Sequence, residues 1–258
     1  MDTLTIVKIG GNIIDDEAQL LPFLEKFAGL EGPKLLVHGG GKLATSLATQ
    51  MGITVKMHQG RRITDADTLD IITMTYAGKI NKNIVAMLKA YHCNAIGFSG
   101  ADGNTIMATK RPIQEVDFGY VGDITQVNTT TLQLLLQQGI TPVFCAISHD
   151  TKGQLLNTNA DTIAAELAIA FSKKYQVMLQ YCFEKKGVLS SIDDDTSVIE
   201  VINQHDYKTL INEGIITEGM LPKLNNCFYA IQNQVHQVNI GASDMVFDPT
   251  ALHTSIQL

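Results

Sequence analysis

The sequence is short of what nucleic-acid and membrane proteins need. Its 19 lysines and arginines are outnumbered by 26 aspartates and glutamates, for a net charge of −7. No basic face is therefore expected to follow a phosphodiester backbone, although a few local cations would suffice for a small anionic ligand. No apolar run is long enough to span a bilayer, and the chain opens on a strand-like segment rather than a leader. A cytoplasmic protein is the expectation, with neither nucleic acid nor membrane as partner. The four cysteines, Cys93, Cys145, Cys182 and Cys227, stand far apart, with no C-x-x-C pair and no histidine at ligand spacing. They read as reduced, buried small residues, and no metal site is expected. Two nucleotide signatures are missing as well. No G-x-x-x-x-G-K-[ST] loop occurs, which excludes a Walker-type fold, and Gly39-Gly40-Gly41 lacks the spacing and the downstream acid of a dinucleotide fingerprint.

What is present is a repeated alternation of strand, glycine turn and helix. Residues 4–9 form an apolar, β-branched run ending at Gly10-Gly11; a polar turn over 12–17 leads into an amphipathic stretch reaching about Leu30. Residues 34–37 repeat the pattern, ending at Gly39-Gly40-Gly41 with a helix from Lys42. Further helices are expected over 65–91, 129–138, 159–171, 206–213 and 222–234, with Asn157 or Asn159 capping the alanine-rich one. Strands are expected over 94–98, 141–147, 176–181 and, closing the chain, 237–240; residues 105–125 read as an irregular or hairpin excursion. This pattern predicts an α/β protein, a three-layer α-β-α sandwich with a mainly parallel central sheet and two lobes. No linker, short repeat or low-complexity tract interrupts it.

In such sheets ligands bind beyond the carboxyl ends of the strands, where backbone amides face outward. Two successive strand ends here carry glycines, which let the backbone approach an anion closely. Lys8 sits in the apolar strand Val7-Lys8-Ile9 immediately before the first pair. A buried, unpaired ammonium is costly, so Lys8 should meet an anion.

Five segments in this order and spacing resemble the amino-acid kinase family: Val7-Lys8-Ile9-Gly10-Gly11, Val37-His38-Gly39-Gly40-Gly41, Gly60-Arg61-Arg62-Ile63-Thr64, Asn157-Thr158-Asn159-Ala160-Asp161, and the run from Gly214 through Thr217, Gly219 and Met220 to Lys223. The nearest likeness is to the branch that phosphorylates N-acylated glutamate. The resemblance implies transfer of the γ-phosphoryl of ATP to a side-chain carboxylate, giving an acyl phosphate, in the second step of arginine biosynthesis. Mg2+ is expected to be bound mainly through the nucleotide phosphates. Lys8 and Lys223 would stabilise the transferring group, and Asp161 would orient them. Gly39, Gly40, Gly41, Arg62, Asn157 and Asn159 would bind the acyl substrate, Arg62 gripping its α-carboxylate. Lys8, Gly10, Gly11, Gly187, Ile216, Thr217, Gly219, Met220 and Lys223 would bind the nucleotide. Residues 1–172 would carry the acylglutamate and dimer surfaces, and residues 173–258 the nucleotide. Arginine-inhibited hexamers of the family carry an extra N-terminal helix that is not seen here, so a homodimer is expected, with 71–89 as a candidate interface or else core. His38 reads as a satisfied strand-end histidine rather than a base.

Two places depart from the family pattern. The turn that usually carries an aspartate is Phe183-Glu184-Lys185-Lys186-Gly187, where Glu184 or Lys185 would take over its contact. Arg61 replaces a neutral residue; it is either solvated or meets an extra carboxylate on the acyl group, as in N-succinylglutamate. Other branches (carbamate, aspartate or glutamate 5-kinase) are set apart by Arg62 with 157–161, and a non-catalytic ligand sensor by the retention of both lysines.

Overall fold

Apolar, β-branched segments that are covered on both faces build the centre of the molecule, as parallel sheets require. The computed structural model describes residues 1–216 and 219–258. In chain order the strands are β1 (Thr3–Ile9), β2 (Lys34–His38), β3 (Lys56–His58), β4 (Arg61–Ile63), β5 (Ala95–Phe98), β6 (Ile106–Lys110), β7 (Gly122–Val127), β8 (Thr141–Cys145), β9 (Ile147–His149), β10 (Leu155–Asn157), β11 (Gln176–Cys182), β12 (Val201–Ile202), β13 (Gln237–Gly241) and β14 (Thr254–Ile256). Eight of them form the main sheet, in the order β12-β14-β13-β11-β1-β2-β8-β5. Every pairing in it is parallel except β13 with β14. A four-stranded sheet, β10-β9-β6-β7, and the β3–β4 hairpin stand beside it.

The helices are α1 (Gly11–Ile14), α2 (Glu17–Ala28), α3 (Gly41–Gln50), α4 (Ala66–Ile72), α5 (Asn81–Ala90), α6 (Thr130–Gln137), α7 (Ala160–Ser172), α8 (Gln204–Asn212) and α9 (Leu221–Gln232). Register places them on opposite faces. Lys8 pairs with Tyr181 and faces α7, whereas His38 pairs with Ile9, one residue on, and bonds Asn81 of α5. Helices α7 and α9 therefore form one outer layer, and α2 with α5 the other. The predicted three-layer sandwich is what forms, and all four cysteines are buried and unpaired.

Several local expectations change. The polar turn over 12–17 contains the short α1, whose Ile13 is buried. The expected strand over 141–147 is two strands, because the chain leaves the main sheet after Cys145 and joins the smaller one at Ile147. The strand at 237–241 does not close the sheet; β14 returns antiparallel beside it, too short to show a period in sequence. Residues 65–91 form α4 and α5 joined by a π-helix, Thr73–Ile80. The apolar stripe of that run, Ile71, Ile72, Tyr76, Ile80, Ile84 and Leu88, is turned inward. These six positions are core, the alternative left open for 71–89, while Met74 of the same run is exposed.

Candidate active site

Lys8 is drawn to the end of a central strand because its ammonium has a partner there. Its Nζ lies 2.7 Å from Oδ1 of Asp161, and Lys223 Nζ donates to Oδ2 of the same carboxylate at 3.0 Å. The three side chains are only 10%, 13% and 15% exposed. Asp161 lies in the first turn of α7, where the side chain of Asn159 caps the helix by accepting from the amides of Asp161 and Thr162 at 2.6 and 3.3 Å. Lys223 lies in the first turn of α9, just after Pro222.

Burial alone would raise the Asp161 carboxyl, but Lys8 and Lys223 outweigh it and hold the group well below the usual carboxylate range. Lys8 is the more enclosed ammonium; burial lowers it below the ordinary lysine value, opposed by Asp161. Burial also works against the Lys223 ammonium, yet Asp161 prevails and raises it. The neighbouring Cys182 thiol is pushed up to about 12 by burial and stays neutral. Two ammonium groups on one carboxylate leave the cluster with an excess positive charge, suited to an incoming anion.

Two cavities lie near this cluster: Lys8 and Lys223 line one, and Ala160 and Pro222, the chain neighbours of Asp161 and Lys223, line the other. One, of about 680 Å³, is lined by Lys8, Gly10, Gly11, Asn12, the turn from Phe183 to Ser190, and Gly219, Met220 and Lys223. The other, of about 400 Å³, is bounded by Gly39, Gly40, Gly41, Arg62, Tyr76, Asn157 and Asn159. Gly11 borders both. The first is bordered by the glycine turn at 10–11, whose backbone can approach a phosphate closely; the second is rich in amides and guanidinium groups.

The model of the amino acid kinase family matches residues 3–242. This chain belongs to that family. It is 54% identical over 245 residues to the acetylglutamate kinase of Phocaeicola vulgatus, covering 95% of each chain, and 51% identical over 254 residues to that of Bacteroides fragilis, covering 98% of this chain and 95% of the relative. Among solved structures, the N-acetylglutamate synthase of Neisseria gonorrhoeae with coenzyme A and N-acetyl-glutamate superposes with a TM-score of 0.82 over all of this chain and 59% of the other. At 20% identity that likeness concerns the fold alone.

The amino acid kinase fold brings the residues singled out in sequence into two groups. Gly39, Gly40, Gly41, Arg62, Asn157 and Asn159 all line the smaller cavity. Arg62 is held there by bonds from its Nη2 to Gly41 O at 3.0 Å and Thr45 Oγ1 at 2.7 Å, and Asn157 by a bond to Thr64 Oγ1 at 3.0 Å. Lys8, Gly10, Gly11, Gly187, Ile216, Gly219, Met220 and Lys223 all line the larger one; Thr217 lies outside the described residues. Glu184 and Lys185 both border it, Lys185 paired with Asp195 at 2.7 Å. Sequence reasoning missed Asn12, Tyr76 and Arg111. Tyr76 reads as one more apolar helix position, yet its ring packs on Gly40 and its hydroxyl comes beside Arg62. His38 is wholly buried and bonded, as expected of a structural histidine.

Proposed function

We propose that this chain transfers the γ-phosphoryl of ATP to the γ-carboxylate of N-acetyl-L-glutamate, a step of arginine biosynthesis, with the nucleotide in the larger cavity and the acyl amino acid in the smaller. The carboxylate shared between Lys8 and Lys223, the two ammonium groups that line the larger cavity, carries the reading. An ionised carboxylate needs no general base, so the residues have to bring two anions together and stabilise the charge that grows on the transferring group. Lys8 and Lys223 supply that charge, and Asp161 keeps the two ammonium groups aimed at one point. Arg62 receives the α-carboxylate with its planar fork, and Asn157 and Asn159 the amide end. The amides of Gly10 and Gly11, at the larger cavity, would face the nucleotide phosphates, and that of Gly40, at the smaller, the group being transferred. No cluster of three His, Cys, Asp or Glu side chains suited to a metal occurs among the described residues, and Asp161 already serves two lysines. Mg2+ would therefore be held through the phosphates, and no step is assigned to it.

The division at residue 172 is kept as part of the reading, although Lys8 and the turn at 10–12 border the larger cavity, and Pro222, Asn225 and Asn226 the smaller. We keep the homodimer as part of the reading, to be checked by light scattering in solution.

A second acyl group is favoured by one observation. Arg61, Arg62 and Arg111 all border the smaller cavity, and among the described residues no carboxylate pairs with Arg61, whereas Arg111 pairs with Asp123 at 2.6 Å. An N-acetyl substrate offers one carboxylate besides the acceptor; an acyl group ending in a carboxylate, as in N-succinylglutamate, would offer a second to Arg61. A hydroxamate assay for acyl phosphate with N-acetyl-, N-succinyl- and free glutamate tests both readings. Product from an acylated glutamate and little from the free amino acid is expected. No product from any acylated glutamate removes the main reading, and comparable turnover of the acetyl and succinyl substrates removes the role of Arg61.

A further inference from the structure

Tyr181 occupies the middle of the catalytic cluster without reaching either cavity. It is wholly buried in β11, in register with Lys8 and on the same face of the sheet. Its hydroxyl donates to the backbone oxygen of Asp161 at 2.9 Å, and its ring lies beneath the Lys223 ammonium, 5.9 Å from Nζ to the centroid. A Phe at this core position would fill nearly the same space, so packing alone does not call for the hydroxyl. The phenol instead ties a strand of the sheet to the residue that both lysines depend on.

We infer that Tyr181 is a positioning residue for phosphoryl transfer, fixing the backbone of Asp161 so that its carboxylate serves Lys8 and Lys223 together. The Asp161 peptides are held from two sides: Asn159 Oδ1 accepts from the Asp161 amide at 2.6 Å, and Tyr181 donates to the Asp161 carbonyl. The first bond is local to α7; the second anchors the helix start to the sheet that carries Lys8. Without it, α7 can slide against β1 by a fraction of an ångström. Such a shift cannot keep both ion pairs short, since their lysines come from different elements, β1 and α9. Misplacement of this order is enough to slow a reaction that depends on alignment. Burial, then the negative neighbours, raise the phenol well above its ordinary pKa, so it remains a donor throughout the working range.

The inference rests on the kinase reading above, and its test separates the two. Tyr181→Phe removes one oxygen and keeps the packing; the Asp161 carbonyl retains its own helix bond, so the fold is expected to persist. The variant should lose roughly tenfold in kcat, with both KM values within about twofold of wild type, because the tether acts on alignment and not on binding. Tyr181→Leu, which also removes the ring under Lys223, should lose more. Amide exchange over residues 161–165 should quicken in Tyr181→Phe while the rest of α7 is unchanged. A Tyr181→Phe enzyme with kcat within about twofold of wild type overturns the inference. If wild-type protein forms no acyl phosphate, the kinase reading fails, and unaltered exchange at 161–165 would by itself overturn the tether.

Discussion

One carboxylate, that of Asp161, gives one oxygen to Lys8 at 2.7 Å and the other to Lys223 at 3.0 Å. The two lysines come from elements 215 positions apart in the chain (223 − 8), so their spacing is set by the residue between them. Asp161→Asn keeps the shape and removes the charge, leaving two buried ammonium groups to repel each other and an amide NH2 facing one of them. We expect kcat to fall by roughly a hundredfold or more, and unfolding free energy at pH 7 to drop by about 3 kcal/mol, as when one member of a buried ion pair is deleted. Because the folded-state carboxyl sits below its unfolded value, Asp161 contributes its stability above about pH 4, and that contribution is lost as pH falls below the unfolded pKa. Steady-state turnover and urea melts of the variant check both; wild-type kcat in Asp161→Asn would remove its role.

The lysines themselves should act mainly on the chemical step. Lys8→Ala and Lys223→Ala are each expected to lose roughly 3–4 kcal/mol of transition-state stabilisation, as for an oxyanion donor. Since burial lowers Lys8 while Asp161 raises Lys223, Lys8 is the first to lose its proton as pH rises. The alkaline limb of kcat/KM should therefore fall at a pH below the ordinary lysine value of 10.5 and move upward in Lys8→Arg. A limb that ignores the Lys8→Arg change would assign it to another group.

How far the site could be read in advance depends on what each residue announces. A lysine in an apolar strand followed by two glycines is conspicuous, because burying it alone is costly, and Lys8 proved to have the partner that this cost demands. The glycine turns and the Asn159 cap are likewise local, since backbone conformation and capping depend on near neighbours. Tyr76 and Tyr181 announce nothing: each sits where any large apolar residue would fit, and only the register of β11 or the π-helix aims the hydroxyl. Strand β14 was hidden for another reason, since three residues cannot display a period.

Gly40 shows how little room the second glycine turn has. Its φ is +153°, which L side chains seldom adopt, and an added Cβ would collide with Ile80 Cδ1 and crowd the ring of Tyr76 at 3.1 Å. Neither neighbour can retreat easily, because both belong to the packed face of the π-helix. Gly40→Ala should displace the turn that borders the acyl substrate, raising KM for N-acetylglutamate at least about tenfold and lowering Tm by several degrees. Gly52→Ala, at a positive φ with open space around it and away from both cavities, imposes backbone strain without a collision and should leave KM far less changed. Equal KM effects in the two variants would show that the collision at Gly40 does not matter.

His38 should make the fold acid-sensitive well above the carboxylate range. It is wholly buried at the end of β2; its Nδ1–H donates to Gly39 O at 2.8 Å, and Asn81 Nδ2 donates to its Nε2 at 3.0 Å while also donating to Val143 O at 2.9 Å. A second proton would set N–H against N–H in a dry interior, and burial pushes the imidazole down to about 4 from the ordinary 6.5. The folded state thus binds the proton less readily than the unfolded chain. The resulting stability is complete above about pH 6.5 and is lost as pH falls from there toward 4, by roughly 3 kcal/mol in all. His38→Gln keeps a side chain able to bond Asn81 and has no proton to gain, so its urea-melt stability should fall less between pH 7.5 and 4.5, by about 2–3 kcal/mol, than that of wild type. Parallel pH curves for the two proteins would mean that His38 titrates normally and that Asn81 does not hold it neutral.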